Sequence, residues 1–132
     1  MHLNPYTLIT IGLIAIALSI VIYKLLSKKY LSQEQFNYYC KQINATSKLA
    51  PSHSLMESHK IMISSLSSML RKKAKAANLL NKISSRIPCD KELWLYHRMR
   101  NTSAHEMNFT VSETDAKKAR KVFKNVLKAL TK

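Results

Sequence analysis

Glycine, proline and acidic residues are scarce in this chain, which has one Gly, three Pro and seven Asp or Glu among 132 residues. Alternating runs of β-branched residues are almost absent as well, so β-strands are not expected. The two cysteines, Cys40 and Cys89, show neither the C-x-x-C spacing of a zinc site nor the density of a disulfide-rich scaffold. We therefore expect an all-α protein with reduced thiols and with no metal or other cofactor.

Charge is missing from the first 23 residues, since every Asp, Glu, Lys and Arg lies after Tyr23. Residues 8–22 read LITIGLIAIALSIVI, and residues 23–26 extend this apolar run to the length that spans a bilayer. A cleaved signal peptide has a basic region before its apolar stretch and a small-x-small cleavage site after it, and neither is present here. The run predicts a single transmembrane helix over residues 7–27 that stays attached.

Basic residues follow the apolar run at once, at Lys24, Lys28 and Lys29. The cytoplasmic flanks of transmembrane helices are enriched in Lys and Arg. We therefore expect residues 1–6 to form a short extracytoplasmic N-terminus, and everything after the transmembrane helix to lie in the cytoplasm.

Small residues fall near one face of the predicted transmembrane helix, at Gly12, Ala15 and Ser19. Small side chains let two such helices approach closely, so this face is a candidate for helix–helix packing. Small residues are also frequent in membrane helices that do not associate, and the pattern leaves both interpretations open.

Two further regions are expected after the transmembrane helix. Residues 28–52 are predicted to form a juxtamembrane stalk or linker, in which a polar stretch with aromatic residues continues the membrane helix until Pro51 interrupts it. Residues 53–132 are predicted to form a bundle of about four helices, because their apolar residues recur at helical spacing.

The bounds of those four helices follow from apolar spacing and capping residues. The spacing predicts one helix over residues 54–73 and a shorter one over residues 74–85. Asp90 is a candidate N-cap for the third helix. Ser112, followed three residues later by Asp115, resembles a capping box that opens the last helix.

Basic residues outnumber acidic ones in the region after the transmembrane helix, and the formal net charge of the chain is +15. An excess of this size indicates a polyanionic partner, either nucleic acid or an anionic lipid surface. The alternative is a solvated basic surface that binds no ligand. The candidate nucleic-acid-binding residues are Arg71, Lys72, Lys73, Lys75, Arg98, Lys117 and Lys121.

The most informative segment is residues 93–105, LWLYHRMRNTSAH, which contains Arg100, Asn101 and His105 in the pattern R-N-x-x-A-H. This pattern resembles the signature of the HEPN superfamily, in which an Arg and a polar residue precede a His by a few residues. The flanking helices match as well, because another helix precedes the basic one and a capped amphipathic helix follows it. The resemblance covers roughly residues 54–130 and leaves out the transmembrane helix.

The resemblance implies a HEPN-like helical domain and metal-independent endoribonuclease activity, with Arg100, Asn101 and His105 as the catalytic residues. An imidazole titrates near neutral pH, so His105 is suited to carry a proton between a ribose 2′-hydroxyl and a leaving 5′-oxygen. A guanidinium matches two phosphate oxygens at once and stays charged, so Arg100 is suited to hold the phosphate. Asn101 is expected to orient His105.

The spacing of the motif limits how its residues meet, because Arg100 and His105 lie about 140° apart around a continuous helix. Either the helix ends before His105, or two copies of the chain compose the site. The resemblance implies the second arrangement, since HEPN nucleases pair two motifs at a two-fold interface. A membrane tether favours such pairing by raising the local concentration. His53, His59 and His97 have no recognisable ligand partners and are interpreted as surface or core residues.

The leading hypothesis is a single-pass protein of the bacterial inner membrane that cuts RNA as a homodimer or larger homo-oligomer. Its role as a defence or toxin-type effector, with a partner protein from a defence system, is implied by the resemblance alone. Two alternatives stay open. One is an oligomeric membrane pore or effector in which the motif supports assembly, and the other is a basic adaptor that holds RNA or a partner at the membrane.

Overall fold

Helices account for most of residues 3–27 and 29–132, the parts of the chain that the computed structural model describes. Among these residues the six α-helices are α1 (Pro5–Leu26), α2 (Gln33–Ala45), α3 (Pro51–Leu70), α4 (Ala76–Ile83), α5 (Asp90–His105) and α6 (Glu113–Ala129). The described residues contain no β-strand, only one isolated bridge between Leu31 and Thr131. The all-α prediction is confirmed.

α1 presents apolar side chains on every side, and none of its residues is buried against the rest of the chain. Its 22 residues correspond to about 33 Å, which matches the roughly 30 Å hydrocarbon core of a bilayer. Asn4 caps the helix by accepting a hydrogen bond from the N–H of Tyr6, and Pro5 occupies the first turn, where its missing N–H costs nothing. The helix is long and apolar enough to cross a membrane.

α2 to α6 pack together as a bundle with α3 at its centre, against α2, α5 and α6. Buried residues of α3 recur at intervals of three and four, as in Leu55, Met62, Leu66 and Met69, so one stripe of this helix faces inward. The largest fully buried side chains are Leu31, Ile43, Leu55, Met62, Leu66, Leu79, Leu80, Ile83, Leu93, Phe123, Leu127 and Leu130. They form one continuous core.

The segment expected to be a stalk belongs to the bundle instead. Ser32 starts a new helix, since its side chain accepts from the N–H of Gln35 while the Gln35 side chain accepts from the N–H of Ser32. Leu31 and Ile43 are 1 % and 0 % exposed. α2 therefore does not continue α1, and the bundle begins near Leu31 rather than at residue 53. The apolar spacing of the sequence did not predict that α2 belongs to the bundle, because only Leu31 and Ile43 are fully buried in or next to this helix.

The remaining helix bounds lie close to the expected ones. Pro51 begins α3 rather than interrupting a stalk, and Arg71 ends it in the left-handed conformation with a φ of 50°. The predicted cap of the last helix is present, since the Ser112 hydroxyl accepts from the N–H of Asp115 at 3.0 Å. Asp90 is the first residue of α5, which has no side-chain cap.

The bundle has two distinguishable ends. Where the chain enters it, the Nζ of Lys29 donates to the carbonyl of Leu70, at the end of α3, and the N–H of Lys132 donates to the carbonyl of Leu31, both at 3.1 Å. We call this the anchor end. α3 runs away from it for 20 residues, or about 30 Å. The start of α3 and the end of α5 line one hollow at the opposite end, which we call the far end.

Candidate functional site

α5 carries the R-N-x-x-A-H segment and continues without a break through His105. Its last turn is closed by the N–H of Glu106, which donates to the carbonyl of Thr102 at 2.9 Å. Arg100 and His105 therefore project about 140° apart around one regular helix. Of the two arrangements that the spacing left open, a helix that ends before His105 is not the one adopted.

Arg100 and Asn101 are partly buried and bonded to each other. One terminal nitrogen of the Arg100 guanidinium donates to Oδ1 of Asn101 at 3.2 Å. The Asn101 Nδ2 lies 3.4 Å from Nε2 of His97, one turn earlier. The Nε of Arg100 is buried and has no hydrogen-bond partner among the described residues. Asn101 thus contacts Arg100 and His97, whereas the expected contact with His105 is not among its hydrogen bonds.

His97 and His59 form a buried pair between α5 and α3. Nδ1 of His97 lies 2.9 Å from Nε2 of His59, and the rings stack with centroids 5.1 Å apart. Burial, followed by the neighbouring His97 and Arg100, lowers the pKa of His59 to about 3. Burial, followed by Arg100 and Arg98, also lowers the pKa of His97. Both imidazoles are therefore neutral at physiological pH.

Arg100 determines the direction of the hydrogen bonds that reach this pair. A guanidinium only donates, so Asn101 accepts with Oδ1 and turns its Nδ2 toward His97. Nε2 of His97 then accepts, which places the proton of this neutral ring on Nδ1, and Nδ1 donates to His59. The partly buried guanidinium is thereby connected, through one amide and two imidazoles, to the core of the bundle.

His105 lies apart from this network, at the exposed end of α5. It lines a surface hollow of about 330 Å³ together with His53 and other residues from the start of α3 and the end of α5. Neither Arg100 nor Asn101 lines that hollow. Within one copy of the chain, the two residues expected to share a phosphate therefore open onto different surroundings.

A basic groove runs between the end of α2 and α6. We call it the α2–α6 groove; its volume is about 800 Å³ and its lining residues are Asn44, Ser47, Thr114, Lys117, Lys118, Arg120, Lys121 and Lys124. Two of these are held in place, since Arg120 donates to the Ser54 hydroxyl at 2.6 Å and Lys124 donates to Oδ1 of Asn44 at 2.8 Å. Five of the lining side chains are cationic and none is acidic, so the groove is suited to an anion.

The structure separates the candidate nucleic-acid-binding residues into different places. Lys117 and Lys121 meet in the α2–α6 groove. Arg71 ends α3 at the anchor end, and Lys72, Lys73 and Lys75 follow it as exposed residues of the loop before α4. Arg98 is exposed on α5. The seven residues do not form one surface, and their role in binding stays a prediction.

The small-residue face of α1 is open. Gly12 has no atom within 4 Å of the position that a Cβ would occupy. The hydroxyl of Ser19 donates to the carbonyl of Ala15 at 2.8 Å, so its hydrogen bond is satisfied within the helix. The face is available to a second helix, and its use in association stays a prediction.

Sequence reasoning treated His59 and His97 separately and missed that they pair. Each lies on the inward stripe of its helix, His59 four residues after Leu55 and His97 four residues after Leu93. Two histidines on apolar stripes were the available signal. Which helices would face each other was not readable from the chain.

Comparison with protein-family models, with curated proteins and with solved structures gives no match for this chain. Residues 3–27 and 29–132 also contain no group of three His, Cys, Asp or Glu side chains arranged to hold a metal ion.

Proposed function

We propose that this chain is a membrane-anchored, HEPN-type endoribonuclease that cuts RNA without a metal, in an assembly of at least two copies. The observation that carries the proposal is the environment of Arg100. Its guanidinium is held by Asn101 next to a buried polar pair, its Nε has no hydrogen-bond partner among the described residues, and the neighbouring His97 is neutral. Such a guanidinium favours an incoming phosphate.

The apolar helix and the basic residues that follow it support a reaction at the cytoplasmic face of a bacterial inner membrane. α1 supplies the span, and Lys24 and Lys29 at its end favour a cytoplasmic bundle. In this orientation the far end, with His105, stands about 30 Å from the anchor end along α3. RNA reaches it from the cytoplasm without having to approach the anionic lipid surface.

Two copies complete the site that one copy leaves divided. Because Arg100 and His105 project about 140° apart on α5, pairing two α5 helices about a two-fold axis parallel to both brings Arg100 of one copy to the same side as His105 of the other. As the general base, His105 takes the proton from a ribose 2′-hydroxyl as this oxygen attacks phosphorus. The resulting imidazolium gives a proton to the leaving 5′-oxygen, which leaves a 2′,3′-cyclic phosphate.

Arg100 stabilises the negative charge that grows on the phosphate oxygens during this attack, and it does so without a metal ion. Asn101 holds the guanidinium through the 3.2 Å hydrogen bond and is itself held by His97. The α2–α6 groove, with its five cations, binds flanking phosphates of the same strand. That contact raises affinity without reading sequence.

The test is RNA cleavage by the full-length chain in lipid nanodiscs, in the presence of a chelator. His105→Ala is expected to lower the cleavage rate by at least 10²-fold, on the order expected for a lost general acid–base. His53→Ala is the matched control because His53 lines the same hollow and is also exposed. Unchanged cleavage by His105→Ala, or cleavage that stops with the chelator, would contradict the proposal.

Mixing two inactive variants tests whether the site is shared between copies. Arg100→Gln and His105→Ala are each expected to be inactive alone. Mixed in detergent before reconstitution, they form hetero-assemblies in which one of the two sites has both residues intact, so part of the activity returns. A mixture that stays inactive, although both variants are folded and associated, would show that each copy uses its own pair.

A second candidate is an adaptor that binds RNA at the membrane without cutting it. The observation that favours it is the separation of Arg100 from the hollow of His105 within one copy. This function predicts RNA binding that falls with charge removal in the α2–α6 groove, by Lys117→Gln with Lys121→Gln. It also predicts no cleavage by the wild-type chain.

A further inference from the structure

A second group of cations gathers at the anchor end, away from both the motif and the α2–α6 groove. We call it the anchor-end cluster and define it as Lys29, Arg71, Lys72, Lys82, Arg86 and Lys132. Its members come from the chain entry, the end of α3, the end of α4 and the turn after it, and the C-terminus. No element of secondary structure contains the whole cluster, so only the fold assembles it.

Contacts with the entry segment hold this cluster together. A terminal nitrogen of Arg86 donates to the carbonyl of Lys29 at 2.6 Å. The Arg86 guanidinium carbon lies 4.9 Å from the centroid of the Tyr30 ring, and the Nζ of Lys132 lies 5.7 Å from it. Two cations thus share one aromatic ring beside the end of the membrane helix.

The cations of the anchor-end cluster lie close together, and the stretches that form it contain no acidic residue to neutralise them. The adjacent Lys72, followed by desolvation and the charge of Lys29, lowers the pKa of Lys82. The stretches that form the cluster, residues 24–33, 67–89 and 128–132, hold eleven of the 22 Lys and Arg and none of the seven Asp and Glu. Positive charge concentrated in this way is stabilised when an anion binds there.

The position of the cluster relative to a membrane follows from chain connectivity. Lys29, which is bonded to Leu70 and Arg86, is the third residue after Leu26, the end of α1. Three residues span at most about 10 Å, which is close to the ~8 Å Debye length at physiological salt. When α1 crosses a bilayer, the cluster is therefore within electrostatic reach of the lipid headgroups.

We propose that the anchor-end cluster binds the headgroups of anionic phospholipids in the leaflet from which α1 emerges, and that it thereby holds the bundle with its far end toward the cytoplasm. This assignment goes beyond RNA cleavage and rests only on the membrane-anchoring part of the proposed function. It also moves Arg71 and Lys72 from the candidate RNA-binding set to a lipid-binding one.

Geometry favours lipid over RNA at this cluster. An RNA strand there would compete with a surface that is dense in negative charge and never dissociates from the chain, since α1 keeps it near at high effective concentration. Tyr30 supports the same ligand, because amphipathic aromatic side chains favour the interface between headgroups and water. The α2–α6 groove has no such tether to the bilayer and remains open to RNA.

Lysine acylation measured by mass spectrometry tests the assignment, because one molecule carries both basic sites. The full-length chain is placed in nanodiscs of phosphatidylcholine alone or with phosphatidylglycerol. We expect labelling of Lys72 and Lys82 to fall several-fold in the anionic discs, while Lys117 and Lys121 are unchanged. Adding single-stranded RNA is expected to protect Lys117 and Lys121 only.

A matched pair of double variants gives a second measurement. Lys72→Gln with Lys82→Gln is expected to weaken phosphatidylglycerol binding, titrated by native mass spectrometry from detergent, on the order of tenfold or more. Lys117→Gln with Lys121→Gln removes the same charge from the groove and is expected to leave lipid binding unchanged. All four lysines are exposed, so neither variant disturbs the core.

The outcomes separate this assignment from the rest of the proposed function. Equal labelling in neutral and anionic discs, or protection of Lys72 and Lys82 by RNA instead of lipid, would overturn lipid binding while leaving the nuclease proposal standing. Release of the wild-type chain from membranes by alkaline carbonate would overturn the anchor, and lipid binding with it. Loss of RNA cleavage in His105→Ala has no bearing on either lipid measurement.

Discussion

α1 and the α2–α6 bundle use the same apolar side chains in opposite ways. Ile14 in α1 is 59 % exposed, whereas Ile43 in α2 is fully buried. In α1 the apolar residues surround the helix, and in the bundle they occupy one stripe of each helix with Lys, Arg and Ser on the other side. The pattern of apolar residues, rather than their number, therefore decides whether a helix is suited to lipid or packs against other helices.

The largest expected effect on stability comes from truncating one apolar side chain to alanine in each region. Phe123→Ala removes a fully buried ring and is expected to lower the free energy of unfolding of the bundle by about 3–5 kcal/mol. Leu18→Ala, in α1, is expected to leave it unchanged because that side chain is exposed and not buried against the bundle. Urea unfolding in detergent, followed by fluorescence of Trp94, measures both. Equal losses of unfolding free energy in the two variants would contradict the conclusion that α1 does not contribute to the stability of the bundle.

Introducing an arginine is expected to have the larger effect in α1, which is the reverse of the order expected for removing an apolar side chain. Ile14→Arg places a guanidinium at the middle of α1, which costs roughly 2.5–3.5 kcal/mol of insertion free energy. We expect this variant to become extractable by alkaline carbonate with its bundle still folded. Ser64→Arg, on the exposed side of α3, is expected to stay in the membrane fraction. Retention of Ile14→Arg would argue against a transmembrane α1.

Acid is expected to act on the bundle alone, through the buried histidine pair. The folded pKa of His59 is about 3, below the ~6.5 of an unfolded histidine, so the unfolded state binds the proton first. Stability is therefore complete above pH ~6.5 and falls, by roughly 1.4 kcal/mol per pH unit, as the pH drops from there toward 3. α1 contains no group that titrates in this window.

Urea titrations monitored by far-UV circular dichroism at several pH values measure this slope. His59→Gln is expected to flatten it between pH ~6.5 and 4, since no imidazole then has to be charged at that position. His53→Gln is the control, because His53 is exposed in the folded state. A slope that is the same in His59→Gln and the wild type would show that acid destabilises the bundle elsewhere.

The smallest expected effect concerns the caps. Ser32→Ala removes the capping box of α2 and is expected to destabilise the bundle by about 1 kcal/mol. Asn4→Ala removes the cap of α1 but is expected not to change urea unfolding, because no residue of α1 is buried against the bundle. A measurable loss in Asn4→Ala would show that α1 and the bundle unfold as one unit.

The candidate site shows which features can be predicted from residues that are close together in the sequence. The R-N-x-x-A-H segment, its helix and the cap at Ser112 were all predictable, since each depends on residues within a few positions of one another. The bond from Asn101 to His97 lies within one turn and was also within reach. The partner of His97 was not, because His59 is 38 residues away and lies on a different helix.

The basic residues were counted from the sequence but could not be assigned. Lys117 and Arg71 look alike as members of charge runs, and only the packing of α6 against α2 and of the chain entry against α3 separates a groove from an anchor-end cluster. α2 is the same kind of case. Its apolar face is too short for the sequence to predict that it is buried. Only the packing of α3 and α6 against α2 shows that it belongs to the bundle.

The sequence alone determined the apolar helix α1, the all-α class, the net positive charge and the position of the motif, because helical periodicity and charge are properties of neighbouring residues. The tertiary structure alone decided the His59–His97 pair, the α2–α6 groove, the anchor-end cluster and the division of Arg100 from His105. Each of these depends on which helix faces lie together, and that is settled by burying all the apolar stripes at once.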